Sequence, residues 1–140
     1  KSNKIDSLSL EDHFSYINIM KYLNHHLDMA LDEYHTKLLQ VCSNGSMIYV
    51  IKNSLGNIVS CAKILIEYKF GDPVGHIEDV VTLPDYRHRG LALRLVDKCI
   101  NHAQEFGCYK VILSAKSSLT GLYTKAGFTE DGNQFVYRFE

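Results

Sequence analysis

Six consecutive residues, Arg87-His88-Arg89-Gly90-Leu91-Ala92, combine what an anion-binding loop needs: positive charge, small residues and the start of a helix. A helix N-terminus offers unpaired N–H groups and a partial positive charge. Gly90 and Ala92 let the backbone approach an anion closely, and Arg87, His88 and Arg89 add charge at the same spot. This is the chemistry of a diphosphate cradle; a plain basic surface loop is the alternative. A Walker loop is excluded because no Gly-Lys-Ser/Thr follows. A Rossmann loop is excluded because no G-x-G-x-x-G stands here.

Upstream, Glu78 and Asp79 are adjacent carboxylates inside an apolar strand. Alternation predicts that they point to opposite faces. Burying either unpaired would be costly, so at least one must meet solvent, a cation or a ligand. A salt-bridged edge strand is the competing account. Lys69, Lys110 beside Tyr109, and Arg138 are cations at strand ends, where solvated flanks are common. Tyr123 could be a packing aromatic. Adjacent His25 and His26 would diverge on a helix and His35 is nine residues beyond the second, so no metal site is expected.

The elements that must hold these residues follow from periodicity. Ser9 to Asp12 reads as a capping box opening a helix with Phe14, Ile17, Met20 and Leu23 on one face. A second helix is predicted over 28–41. Strands over 46–52 and 58–70 flank the turn Ser54-Leu-Gly-Asn57, and a third covers 76–83. The 84–90 loop leads into a helix over 91–106 that ends at Gly107. A short buried strand at 111–114, a helix reaching Ala126 and a last strand at 135–139 complete the pattern. Antiparallel strands followed by strand-helix-strand predict an α/β fold: a mixed, mostly antiparallel central sheet with one parallel crossover, flanked by helices.

The chain has 140 residues, 22% charged and 46% hydrophobic, with a net charge of −1. That predicts one folded domain over 1–140 and no global attraction to nucleic acid or acidic membrane, so any anion site is local. No apolar run approaches the ~20 residues of a membrane span, and the start lacks a secretory pattern. Cys42, Cys61, Cys99 and Cys108 form no C-x-x-C pair. No disulfide framework and a reducing, cytoplasmic location are expected.

The stretch Glu78-Asp-Val-Val-x-x-x-x-Tyr-Arg-x-x-Gly-x-Ala92, with Leu122-Tyr-Thr-Lys-Ala-Gly-Phe128 about thirty residues further on, resembles the GNAT acetyltransferase superfamily. Gly75-His-Ile-Glu-Asp-Val80, Gly107-Cys-Tyr-Lys110 and Arg138 resemble its glucosamine 6-phosphate N-acetyltransferase family. The likeness is strong over roughly residues 58–140 and weak before. It implies acetyl-CoA as cosubstrate and no metal, with coenzyme contacts at Val80, Arg87, His88, Arg89, Gly90, Leu91, Ala92, Leu93 and Ser114. It implies catalytic roles for Tyr123, near the coenzyme sulfur, and Glu78, which accepts the amine proton. Lys69, Glu78, Asp79, Tyr109, Lys110 and Arg138 would bind the amino-sugar phosphate, with Arg138 supplied by the second subunit of a homodimer.

The sequence departs from that pattern in places. Ser114 stands where the family has an acid, Leu119 where it often has asparagine. The loop after Lys69 is about three residues shorter and no histidine follows at the family's spacing. The N-terminal threonine has no counterpart, Asn24 being nearest. Transfer to another amine, such as a polyamine, a protein N-terminus or a lysine, and a non-catalytic acyl-CoA-binding module are the alternatives.

Overall fold

The computed structural model describes residues 4–115 and 117–139. Five strands form one sheet in the order β1 (Ile5–Ser7), β2 (Met47–Lys52), β3 (Ile58–Glu67), β4 (Val74–Thr82) and β5 (Lys110–Leu113). The first three pairings are antiparallel and β4–β5 is parallel. The parallel step needs a crossover, which helix α3 (Leu91–Glu105) provides.

One face of the sheet packs on α3. Leu91, Leu95, Val96, Cys99 and Ala103 recur at helical spacing and meet Ile51, Val59, Ala62, Ile64, Ile66 and Ile77. Each such side chain contributes on the order of 1.5–3 kcal/mol on burial. α3 lies close to β4 because Gly75 has no side chain; a Cβ there would stand 3.0 Å from that of Ala103. Helix α4 (Thr120–Lys125) adds Tyr123 to the same cluster.

Helices α1 (His13–Met20) and α2 (Leu31–Val41) cover the other face. Tyr16, Ile17, Ile19, Met20 and Tyr34 pack there on Ile48, Val50, Ile58, Cys61 and Val81. At about 100° per residue Tyr16, Ile17, Ile19 and Met20 share one arc and Phe14 falls opposite. Phe14 is accordingly 80% exposed, and Leu23 lies past the helix end and is also exposed, unlike the predicted stripe. The expected box survives in part: Asp12 accepts the Ser9 N–H at 3.0 Å, within a 3-10 turn that precedes α1.

Three further expectations change. β1 carries no strong apolar pattern and was not predicted. β5 is not buried: Lys110 and Ile112 are exposed because no helix covers their face. The expected strand at 135–139 pairs with no other strand among the described residues, and residues 129–139 lie exposed.

Candidate active site

The pairing of β4 with β3 is irregular. Lys63 is opposite Glu78 and Cys61 opposite Val81, so one β3 residue, Ala62, faces two on β4, Asp79 and Val80. That is a β-bulge. Asp79 has φ of +53°, left-handed backbone that a strand residue adopts only under restraint. Its carboxylate is held 3.0 Å from the Lys63 ammonium.

The bulge resets the alternation. Ile77 and Val80 pack with the α3 cluster and Val81 with the α1 cluster. Glu78 shares the face of its partner Lys63, and Asp79 reaches Lys63 on that same face. Both carboxylates therefore lie on one side, contrary to the simple two-residue period. Asp79 is ion-paired; Glu78 is exposed and has no ion-pair partner among the described residues.

On its other edge β4 pairs with β5 only from Val74↔Lys110 to Ile77↔Leu113. The strands part at the bulge, and Ser114 lies just past this divergence. Beyond the bulge the chain runs through a 3-10 turn, Pro84–Tyr86, to the start of α3. There Gly90, with φ of +78°, is the N-cap residue, and the place its Cβ would occupy is empty. His88 also takes a positive φ of +64°. The first helical bond is Arg94 N–H to Gly90 O, and the N–H groups of Leu91, Ala92 and Leu93 have no acceptor among the described residues. No acid sits in the first turn. Arg87 donates from Nε to the Thr82 carbonyl at 3.0 Å, and Arg89 donates to the Asp85 carbonyl at 3.0 Å while lying over the Tyr86 ring. These residues fit a diphosphate.

Tyr123 is buried on the α3 side of the divergence, edge-on to Phe128 with ring centres 6.1 Å apart. Burial pushes its pKa above the ordinary value, so the hydroxyl keeps its proton.

The opposite side, where Glu78 lies, is open. Short α1 and α2 cover Ile48 and Val50 of β2, Ile58 and Cys61 of β3 and Val81 of β4, and leave the rest of this face bare. Val111 and Leu113 pack towards α3, so Lys110 and Ile112 face the open side. Ile64 and Ile66 likewise point to α3, which leaves Lys63, Leu65 and Glu67 on the open side. Lys69 follows the end of β3, with its ammonium 3.5 Å from Glu67, and Lys110 lies over the Tyr109 ring. The structure thus puts Glu78 and Asp79 at the bulge and Lys69, Tyr109 and Lys110 at the Val74 end of the same strands, four residues further back along β4. Arg138 does not join them: it sits in the exposed tail without a hydrogen bond or ion pair among the described residues.

Sequence reasoning missed Lys63, Glu67 and His76. A lone lysine within the apolar strand Ile58–Glu67 was the available signal for Lys63. His76 was visible only as part of a motif; its neighbours come from pairing.

Residues 11–128 match the model of the acetyltransferase (GNAT) family. A glucosamine 6-phosphate N-acetyltransferase of Oryza sativa subsp. japonica is 43% identical over 87 residues, 60% of this chain and 53% of that protein. The chain thus aligns with about half the length of that relative. A crystal structure of a Trypanosoma brucei acetyltransferase superposes with a TM-score of 0.94 at 29% identity, covering 99% of this chain and 100% of that one. Glucosamine-6-phosphate N-acetyltransferase from Arabidopsis thaliana gives 0.93 at 26% identity, covering 100% of both. With the bulge, the diverging strands and the basic helix entrance in place, the chain belongs to the acetyltransferase (GNAT) family.

Proposed function

We propose that this chain transfers the acetyl group of acetyl-CoA to the 2-amino group of glucosamine 6-phosphate by direct attack in a ternary complex. The observation that carries this reading is the open face, where Glu78, a carboxylate without an ion pair among the described residues, follows the last β4–β5 pair while the cations Lys69 and Lys110 stand at the other end of that pairing. An amino-sugar phosphate has its amine and its phosphate at opposite ends and fits that order of charge. The similarity to proteins named for this reaction supports it.

In this reading the coenzyme diphosphate lies on Arg87 to Leu93 and its acyl arm passes Ser114 and Val80 between β4 and β5. The amine nitrogen attacks the thioester carbonyl from the Glu78 side. A C–N bond forms, the C–S bond breaks, and the amine proton passes to Glu78 directly or through water. Backbone N–H groups freed at the bulge, near Val80, stabilise the developing oxyanion. The leaving sulfur accepts a hydrogen bond from Tyr123. Full transfer from a phenol of pKa ~10 to a thiolate of ~8.5 is uphill by about 2 kcal/mol, and burial of Tyr123 makes it steeper, so a hydrogen bond is the favoured form. The chain acts as a single domain and as a homodimer that brings Arg138 of one copy to Tyr109 and Lys110 of the other.

One observation favours a different acceptor. A cavity of about 210 Å3 beside Asp79, lined by Tyr16, Met20, Leu27, Met29 and Leu38, is largely apolar. It suits an amine with an apolar neighbour, such as a peptide N-terminus, better than a sugar. Thiol release from acetyl-CoA, measured against glucosamine 6-phosphate, glucosamine, polyamines and peptides, separates the two. Highest kcat/KM on glucosamine 6-phosphate is expected; a faster peptide or polyamine, or no thiol release with any amine, overturns the reading.

A further inference from the structure

His76 occupies the middle of the open face. On β4 it lies directly between Leu65 of β3 and Ile112 of β5. Glu78 is two residues on, about 7 Å along the strand, and Lys110 is paired with Val74, two residues back. The imidazole is only 28% exposed, so it lies down on the sheet rather than reaching into solvent. Its Nε2–H donates to Glu67 Oε1 at 2.8 Å, and the other Glu67 oxygen is 3.5 Å from the Lys69 ammonium. The His76 bond, with the Lys69 charge next, holds the Glu67 carboxyl below its usual range.

Folding does not require a histidine here. Flanked by Leu65 and Ile112, the position would suit an aliphatic side chain better as a piece of sheet. What the Glu67 bond achieves is orientation: it fixes the ring and commits Nε2, leaving Nδ1 as the nitrogen available to a ligand. We propose that His76 is a specificity-determining residue for the acceptor, reading sugar hydroxyls between the amine end at Glu78 and the phosphate end at Lys69 and Lys110, with Glu67 as its positioning residue. This rests on the amino-sugar phosphate reading above.

The test uses steady-state kinetics on the full chain with both substrates varied, together with melting temperatures. His76→Leu, which fits between two aliphatic neighbours, is expected to raise KM for glucosamine 6-phosphate about ten- to a hundredfold, while KM for acetyl-CoA and the melting temperature hold. His76→Asn, whose amide falls near the place of Nδ1, is expected to recover part of that loss. Glu67→Ala is expected to raise acceptor KM by a smaller factor. An unchanged acceptor KM in His76→Leu, in a wild type that uses glucosamine 6-phosphate, overturns the inference alone. So does a joint rise of both KM values with a lower melting temperature, which marks a structural role. A wild type that does not acetylate glucosamine 6-phosphate overturns the acceptor reading, and this inference with it.

Discussion

Asp79 sits in left-handed backbone within a strand, and such a conformation in a non-glycine residue costs on the order of 1–3 kcal/mol unless the surroundings impose it. Lys63, only 18% exposed, supplies the restraint through its 3.0 Å ion pair. The pair therefore serves the shape of the backbone next to Val80, whereas Glu78, one residue earlier, is exposed and has no ion pair among the described residues, as its proposed role towards the amine requires. Tyr123 shows the same division between packing and chemistry. Its ring fills the α3 cluster, yet among the described residues nothing hydrogen-bonds its hydroxyl. Because no buried side-chain oxygen is left unpartnered among the described residues, that hydroxyl reaches solvent, where a ligand can accept from it. Tyr123→Phe keeps the ring and removes only that donor, so kcat is expected to fall about ten- to a hundredfold while calorimetric acetyl-CoA affinity stays within about twofold. The pH profile adds a check. Burial raises the tyrosine pKa, so the donor is fully present below the ordinary value of ~10 and is lost only as pH climbs through the higher folded value. Any alkaline fall in kcat due to Tyr123 must lie above about pH 10 and be missing from the Phe variant. Wild-type kcat in that variant would leave Tyr123 a packing residue.

At the scale of elements, the decisive feature is how α3 begins. Gly90 is both the left-handed N-cap and the point where a side chain would project into the open space where the diphosphate is proposed to lie. Gly90→Val adds bulk there and forces a β-branched residue to a φ of +78°, so acetyl-CoA affinity measured by calorimetry is expected to fall at least tenfold. Unchanged affinity would show that the diphosphate lies elsewhere. This element was legible in the sequence because loop and helix are local: the basic residues, Gly90 and the spacing of Leu91, Leu95, Cys99 and Ala103 all lie within 87–103. The site's other half was not legible, since it depends on pairing. The two-residue period sends Glu78 and Asp79 apart, and only the extra residue opposite Ala62 brings them together. That Lys110, Ile112 and His76 share an open face follows from α1 having eight residues and α2 eleven, too few to cover all five strands. Phe14 misled because four apolar residues at helical spacing, Phe14, Ile17, Met20 and Leu23, suggested a stripe, while Tyr16 and Ile19 turned the buried arc away from it.

At the scale of the whole molecule, two features have no partner among the described residues. β5 ends the sheet order, with Ile112 exposed, and the tail 129–139 is exposed with Phe135 at 91%, Tyr137 at 84% and Phe139 at 97%. An open strand edge and an apolar extended segment are each adhesive, and soluble proteins seldom leave either bare. In the proposed homodimer a second copy would satisfy both by pairing its tail as a strand with the neighbour. Such an exchange would carry Arg138 towards the partner's Tyr109 and Lys110, where a bidentate guanidinium suits phosphate better than a lysine alone. Arg138→Ala is then expected to weaken kcat/KM for glucosamine 6-phosphate about ten- to a hundredfold, with little change for glucosamine or for acetyl-CoA affinity. Mixing makes the test sharper. In a heterodimer of an Arg138→Ala chain and a Tyr123→Phe chain, the first chain's site has its own Tyr123 and receives an intact Arg138 from the second. One of the two sites is whole, and activity partly returns on exchange. If Arg138 acted within its own chain, each site would still lack one residue and mixing would restore nothing. A monomer in sedimentation, or an exchanging mixture without recovery, rules out the shared site.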